Sequence, residues 1–185
     1  TGRAWTITED LRHFWSYKRR GWAAKHFARW YFWATHSRLQ PIIDGKVRSA
    51  FAMTEPDGGC GSDPNLTYTK AEKKGDKWII TGRKWFITGA EGAQTFILIA
   101  RTSDDERKGL TAFLFDKDQP GWEIVRRIGI MGPEEHGGHC ELQFNGLEIP
   151  DENRLLNVGD GLKVTQIRLG TARLTHCMRW LGLSK

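Results

Sequence analysis

From Trp78 to Pro150 the chain alternates short apolar runs with turn residues, and this rhythm restricts it to an antiparallel β fold. Trp78-Ile79-Ile80-Thr81 follows the turn Lys74-Gly75-Asp76, and Gly82 leads into Lys84–Thr88. Phe96–Arg101, Leu110–Phe115, Trp122–Val125, Cys140–Phe144 and Leu147-Glu148-Ile149-Pro150 complete the series. The runs are short, rich in β-branched and aromatic residues, and bounded by Gly, Pro or Asp. Such strands at roughly twelve-residue spacing predict a barrel or sandwich. Strands do not alternate with helical segments, which argues against a doubly wound parallel sheet. The expected fold is mainly β: an antiparallel β-barrel or sandwich with partial α-helical flanks.

Charge divides the chain unevenly. Of the 28 Lys and Arg residues, ten lie in 1–50 against three acidic residues, while the rest of the chain is nearly neutral. Five of the nine tryptophans (Trp5, Trp15, Trp22, Trp30 and Trp33) lie in the same basic stretch. Aromatic and basic residues interleave there without a sustained apolar stripe, so a helix over roughly 10–34 would turn apolar side chains in several directions. Such interleaving can clamp phosphates and stack bases, but a piece of a larger helical domain explains it more simply, and no nucleic-acid partner is expected. An upstream change of reading frame near residue 37 would also produce so abrupt a shift.

The period changes again after Gly159. Leu162, Ile167, Leu169, Leu174, Met178 and Leu181 recur at helical spacing, with Gly159 or Asp160 as N-cap. This helix has little further chain against which to bury its stripe, so the sequence reads as a fragment. Three parts are predicted: 1–46, a partial or aberrant helical segment; 47–157, a β middle domain; and 158–185, the first helix of a truncated helical domain. No apolar run is long enough for a membrane-spanning helix. Cys60, Cys140 and Cys177 are widely spaced and read as reduced thiols. His136, His139 and Cys140 lack a fourth ligand at zinc spacing, so no metal is expected.

Two strand ends carry the functional signal. Phe51-Ala52-Met53-Thr54-Glu55-Pro56 runs into a loop of small residues ending at Gly61-Ser62-Asp63, and Trp85-Phe86-Ile87-Thr88 ends a later strand. An aromatic ring, hydroxyls and loop amides brought together can wall a flat ligand with polar edges. This string, with Lys70–Gly75, Ile80–Thr88, Met131-Gly132, Phe144, Ile149-Pro150 and Gly159-Asp160-Gly161, resembles the middle domain of the FAD-dependent acyl-CoA dehydrogenases over about residues 38–185. His136-Gly137-Gly138-His139 and Arg168–Arg179 look like one subgroup, which includes the late-described mitochondrial dehydrogenases for long or 4-hydroxylated acyl chains and bacterial relatives.

The resemblance implies FAD as cofactor. It implies cofactor contacts from Phe51, Met53, Thr54, Ser62, Phe86, Ile87 and Thr88, with Thr88 near flavin N5, and substrate contacts from Ser62 and Arg173. Phe86 stands where the family usually has a flavin-packing Trp, and Trp85 lies one position earlier. Asp57-Gly58-Gly59-Cys60 is two residues longer than the family's spacing. The implied reaction converts acyl-CoA to 2-enoyl-CoA, with electrons passed to an electron-transferring flavoprotein, in bacterial cytoplasm or the mitochondrial matrix. The parent protein is expected to be a homo-oligomer. The family's carboxylate base lies late in the helical domain or immediately before the arginine matched by Arg173, a position filled here by Ala172. No catalytic residue is therefore assigned, and the chain alone is expected to be inactive. The alternative is a fragment or pseudoenzyme that acts only as a binding module.

Overall fold

The computed structural model describes residues 40–131 and 137–185. The helical reading of 10–34, the frame change near residue 37, Gly132 and His136 lie outside them. The chain forms two units, Thr1–Lys46 and Val47–Lys185. In the first, the described part is the single turn α1 (Gln40–Ile43), which closes at Gly45 with φ 69°.

The second unit contains β1 (Ser49–Ala52), β2 (Lys70–Lys74), β3 (Lys77–Thr88), β4 (Thr95–Arg101), β5 (Leu110–Asp116), β6 (Trp122–Arg127), β7 (His139–Pro150), β8 (Arg154–Leu155) and α2 (Gly161–Leu183). They build one eight-stranded sheet in the order β6-β7-β3-β2-β4-β5-β8, with β1 also paired to β4. The mainly β expectation holds, but two features of it are corrected. The sheet is mixed, because β1 and β2 each run parallel to β4. It is also not closed into a barrel: β6 pairs with β7 at one end, and the two-residue β8 ends the other.

Sequence also divides two strands that are continuous. Gly82 (φ 149°) lies inside β3 and pairs with Phe144, while Gly146 (φ 81°) lies inside β7 and is the extra residue of a bulge, skipped between Asn145 and Leu147 as the pairing continues on either side. A Cβ at Gly82 would lie 2.6 Å from Thr69 Cα. This glycine therefore admits a neighbouring backbone and does not end the strand.

The core follows from strand alternation. Phe96, Phe115 and Phe144 are fully buried, and Trp122 packs edge-on against Phe96 and Phe115 at 4.9 and 5.2 Å. Trp78 lies 5.3 Å from Phe113, and its indole N–H donates to Asp151 at 2.6 Å. A smaller cluster of Met53, Cys60, Ile99, Leu110 and Ala112 receives Phe51, Leu155 and Val164. There α2 meets β5 so closely that a Cβ at Gly161 would strike the Leu110 backbone. Asp160 precedes the helix, but its carboxylate accepts from the Asn157 amide and side chain instead of capping the helix. Later in α2, Leu174, Met178, Trp180, Leu181 and Leu183 are exposed. No helix among the described residues is long and apolar enough to cross a membrane.

Phe115→Ala removes the ring shared by Phe96, Trp122 and Phe144 and should lower unfolding free energy by about 3–5 kcal/mol in urea titration. A loss below about 1 kcal/mol would show that this cluster is not the core.

Candidate functional site

The site begins with a change of parity in β3. Trp78, Ile80 and Lys84 are buried on the inward, even-numbered side of the strand. Continued to the strand end, the same alternation would bury Thr88. Instead the register slips: Lys84 faces Leu142 and Ile87 faces Cys140, so Trp85 and Phe86 together oppose Glu141. Phe86 takes φ 51°, a left-handed conformation that a bulky side chain adopts only under constraint. Beyond this bulge Ile87 turns into the core, while Phe86 and Thr88 face outward. The Thr88 hydroxyl is 2.9 Å from His139 Nδ1 on β7.

A second strand end is pinned beside the bulge. The Trp85 amide donates to the Thr54 carbonyl at 2.9 Å, and the Thr54 hydroxyl donates to the Trp85 carbonyl at 2.5 Å. The fully buried Lys84 ammonium donates to the Met53 carbonyl at 2.8 Å and to Glu55 Oε1 at 2.7 Å. Glu55 also accepts the Tyr68 and Thr69 amides at 2.6 and 3.0 Å. A carboxyl that receives three N–H donors is serving as a carboxylate. Burial works to raise its pKa, but the Lys84 charge and these hydrogen bonds outweigh burial and hold it below the ordinary range. Burial pulls the Lys84 pKa down, against the opposing influence of Glu55.

The loop between these anchors is compact. The Glu55 amide donates to the Cys60 carbonyl at 2.8 Å, and the Gly59 amide donates to the Pro56 carbonyl at 3.0 Å. Asp57 and Gly58 both have positive φ, and a Cβ at Gly59 would lie 2.8 Å from Glu55 Cβ. The longer spacing is therefore absorbed as a tight turn that needs glycine where it crosses Glu55. Arg83 ties the turn to β3 through Asp57 at 3.2 Å.

The predicted cofactor and substrate residues fall into four places. Thr54, Phe86 and Thr88 lie at adjoining strand ends, with Thr54 half-buried, Phe86 43% exposed and Thr88 exposed. Phe51, Met53 and Ile87 have inward-packed side chains, and the Arg168 guanidinium lies 4.7 Å from the Phe51 ring centroid. Ser62 is exposed in the loop, and its hydroxyl has no hydrogen-bond partner among the described residues. Arg173 is exposed on α2 and donates to Gln166 of the same helix at 3.0 Å. The structure shows no contact between Arg173 and the strand ends. In sequence, Lys84, His139 and Arg168 fall within motif stretches, and His139 is weighed only as a zinc ligand; none of the three is given a part at this edge. A lysine at an inward position of an otherwise apolar strand could have pointed to the buried pair, whereas the His139 and Arg168 contacts depend on tertiary placement.

Residues 50–147 match the family model described as "Acyl-CoA dehydrogenase, middle domain". The chain belongs to the acyl-CoA dehydrogenase family. FadE2, a Mycobacterium tuberculosis protein carrying the acyl-CoA dehydrogenase name, is 38% identical over 151 residues, covering 80% of this chain and 37% of that protein. Human acyl-CoA dehydrogenase family member 11 is 34% identical over 154 residues, covering 80% of this chain and 20% of its own. Among solved structures, an acyl-CoA dehydrogenase of Mycobacterium abscessus superposes with TM-score 0.75 at 33% identity, covering 81% of this chain and 38% of the other. The FAD complex of PigA superposes with TM-score 0.62 at 32% identity, covering 69% and 33%. The chain thus spans well under half the length of these relatives. Residues 1–51 match a different family model, described as a transposase. The two model matches meet at residues 50–51, close to where the composition changes.

Glu141 lies beneath the bulge, 1% exposed, and binds Arg126 and Arg83. Its pKa is lowered first by the Arg126 hydrogen bond, against burial, with Arg83 adding to the effect. A depressed carboxylate contributes stability that is present above its unfolded value of about 4.3 and lost as pH falls through the folded value. Urea unfolding should therefore lose stability more steeply below about pH 4.3 in the parent chain than in Glu141→Gln. Parallel acid limbs would refute this. Phe86→Asn should leave stability equal or up to about 1 kcal/mol higher, because Asn tolerates positive φ better than Phe. A clear loss in urea titration would contradict the backbone reading.

Proposed function

We propose that residues 47–157 form the FAD- and acyl-CoA-binding middle domain of an acyl-CoA dehydrogenase, with 158–185 beginning its following helical domain. The exposed edge of Thr54, Phe86 and Thr88 carries this reading: an aromatic face flanked by two hydroxyls at neighbouring strand ends, as a flat ring with a polar rim requires. The residues fit an isoalloxazine. Thr54 would bond its pyrimidine end, Phe86 would pack on the ring, and Thr88 would lie near N5. Phe51, Met53 and Ile87 would support this edge from behind through backbone and packing. Ser62, whose hydroxyl has no partner among the described residues, would meet pyrophosphate or acyl-CoA, and Arg173 would stand near substrate.

When bound, FAD supplies the hydride acceptor for oxidising acyl-CoA to 2-enoyl-CoA. This chain's residues would orient and shield the reacting groups, and a carboxylate base from elsewhere in the parent enzyme would take the α-proton. Transfer to an electron-transferring flavoprotein, a role in fatty-acid β-oxidation, a homo-oligomeric parent, and a bacterial-cytoplasmic or mitochondrial-matrix setting belong to the same reading.

Two observations favour a second reading, a catalytically inactive binding module: Ala172 stands immediately before Arg173, and the transposase match covers the first residues. On that reading the chain joins a transposase-like end to a dehydrogenase middle domain. One preparation separates the readings. The chain incubated with FAD and desalted should keep the two visible flavin bands, and adding acyl-CoA should give no turnover. A colourless protein would refute flavin binding by this chain, and sustained turnover would refute the external base.

A further inference from the structure

The Lys84–Glu55 pair does more than fill the core, because its bonds reach both sides of the candidate site. From one inward position on β3, Lys84 holds the Met53 carbonyl and the Glu55 carboxylate. Glu55 in turn fixes the Tyr68 and Thr69 amides, at the far end of the loop that carries Ser62. The next residue after Lys84 is Trp85, whose backbone is bonded in both directions to Thr54. After Trp85 comes the bulge that turns Phe86 and Thr88 outward.

Apolar neighbours could occupy this volume without an ionic pair, and a buried pair carries a desolvation cost that often makes it neutral or worse for stability. A pair of this kind is better suited to specifying geometry than to adding stability. Its geometry joins Met53, Thr69 and the bulge, three backbone segments that are far apart in sequence.

We propose that Lys84 and Glu55 are positioning residues that set the strand end at Thr54 and the return of the Ser62 loop for flavin binding. The inference rests on the flavin reading of the site and names the residues that preorganise it. Lys84 and Glu55 act through Met53, Thr54, Tyr68 and Thr69 and do not themselves face the exposed edge, since both are buried.

The test uses the 185-residue chain, Lys84→Met, and the double variant Lys84→Met/Glu55→Gln. Three quantities are read on each: the FAD dissociation constant by flavin fluorescence, amide hydrogen exchange at Tyr68 and Thr69, and the thermal midpoint. Lys84→Met should speed exchange at both amides at least tenfold and weaken FAD binding at least tenfold. The double variant removes the uncompensated buried charge, so its thermal midpoint should recover most of what the single variant loses. Its FAD binding should stay at least tenfold weak, because the Met53 carbonyl still lacks its ammonium donor. A purely structural role would restore binding together with stability, and that result overturns the proposal. If Lys84→Met does not fold, the double variant alone decides: parent-like exchange or parent-like FAD affinity overturns the proposal. If the parent chain binds no FAD, the flavin reading fails, and the exchange rates still show whether the pair orders the loop. If the parent binds FAD and the variants bind it equally well, the flavin reading stands and the positioning role falls.

Discussion

The buried ammonium–carboxylate contact between Lys84 and Glu55 is the constraint on which the rest of the site depends. Neither side chain is exposed beyond 5%, so each charge is stabilised by its partner and by the backbone groups around it. Removing one partner from such a pair typically costs about 3–5 kcal/mol, because a charge is then left buried alone. The loop, the strand end and the outward turn of β3 are all within one or two bonds of this contact. The site is therefore built on the sheet and does not rely on the loop's own stiffness, which its run of glycines would not supply.

The bulge at Trp85–Phe86 is the second determinant. Strand alternation is strict, so one extra residue on β3 exchanges the inward and outward sides for everything that follows. Ile87 is inside and Thr88 outside because of it. Glu141, held between Arg83 and Arg126, lies opposite the extra residue and gives the bulge a charged floor. A Phe at φ 51° within a ligand-facing edge is local strain that the surrounding pairings sustain.

Much of this was legible in the sequence, for identifiable reasons. Periodicity and turn residues located the strands, and the motif residues from Phe51 to Thr88 pointed to the acyl-CoA dehydrogenase family. Gly82 and Gly146 look like strand ends in sequence, since a glycine that admits a neighbouring backbone, as Gly82 does, or one that forms a bulge, as Gly146 does, looks the same as one that ends a strand. Barrel closure and the parallel pairings of β1 and β2 depend on which distant strands meet, and strand spacing does not carry that information. The motif gives Phe51, Met53 and Ile87 together with Thr54, Phe86 and Thr88, and the structure packs the side chains of the first three inward. The bulge divides the Ile87 and Thr88 roles, and local alternation alone does not reveal it. The basic, tryptophan-rich beginning differs from the rest in composition, whereas its match to a transposase model comes only from comparison.

On the flavin reading, the ring sits at the edge formed by Thr54, Phe86 and Thr88, with Ser62 beside it. Backbone amide shifts of the chain, followed by NMR during titration with FAD, test this most directly. Saturable shifts are expected to concentrate at Thr54, Ser62, Phe86 and Thr88, with little change at the open hollow beside Lys77, Gly121 and Glu148. Shifts centred on that hollow, or none at the strand ends at saturating FAD, would contradict that reading.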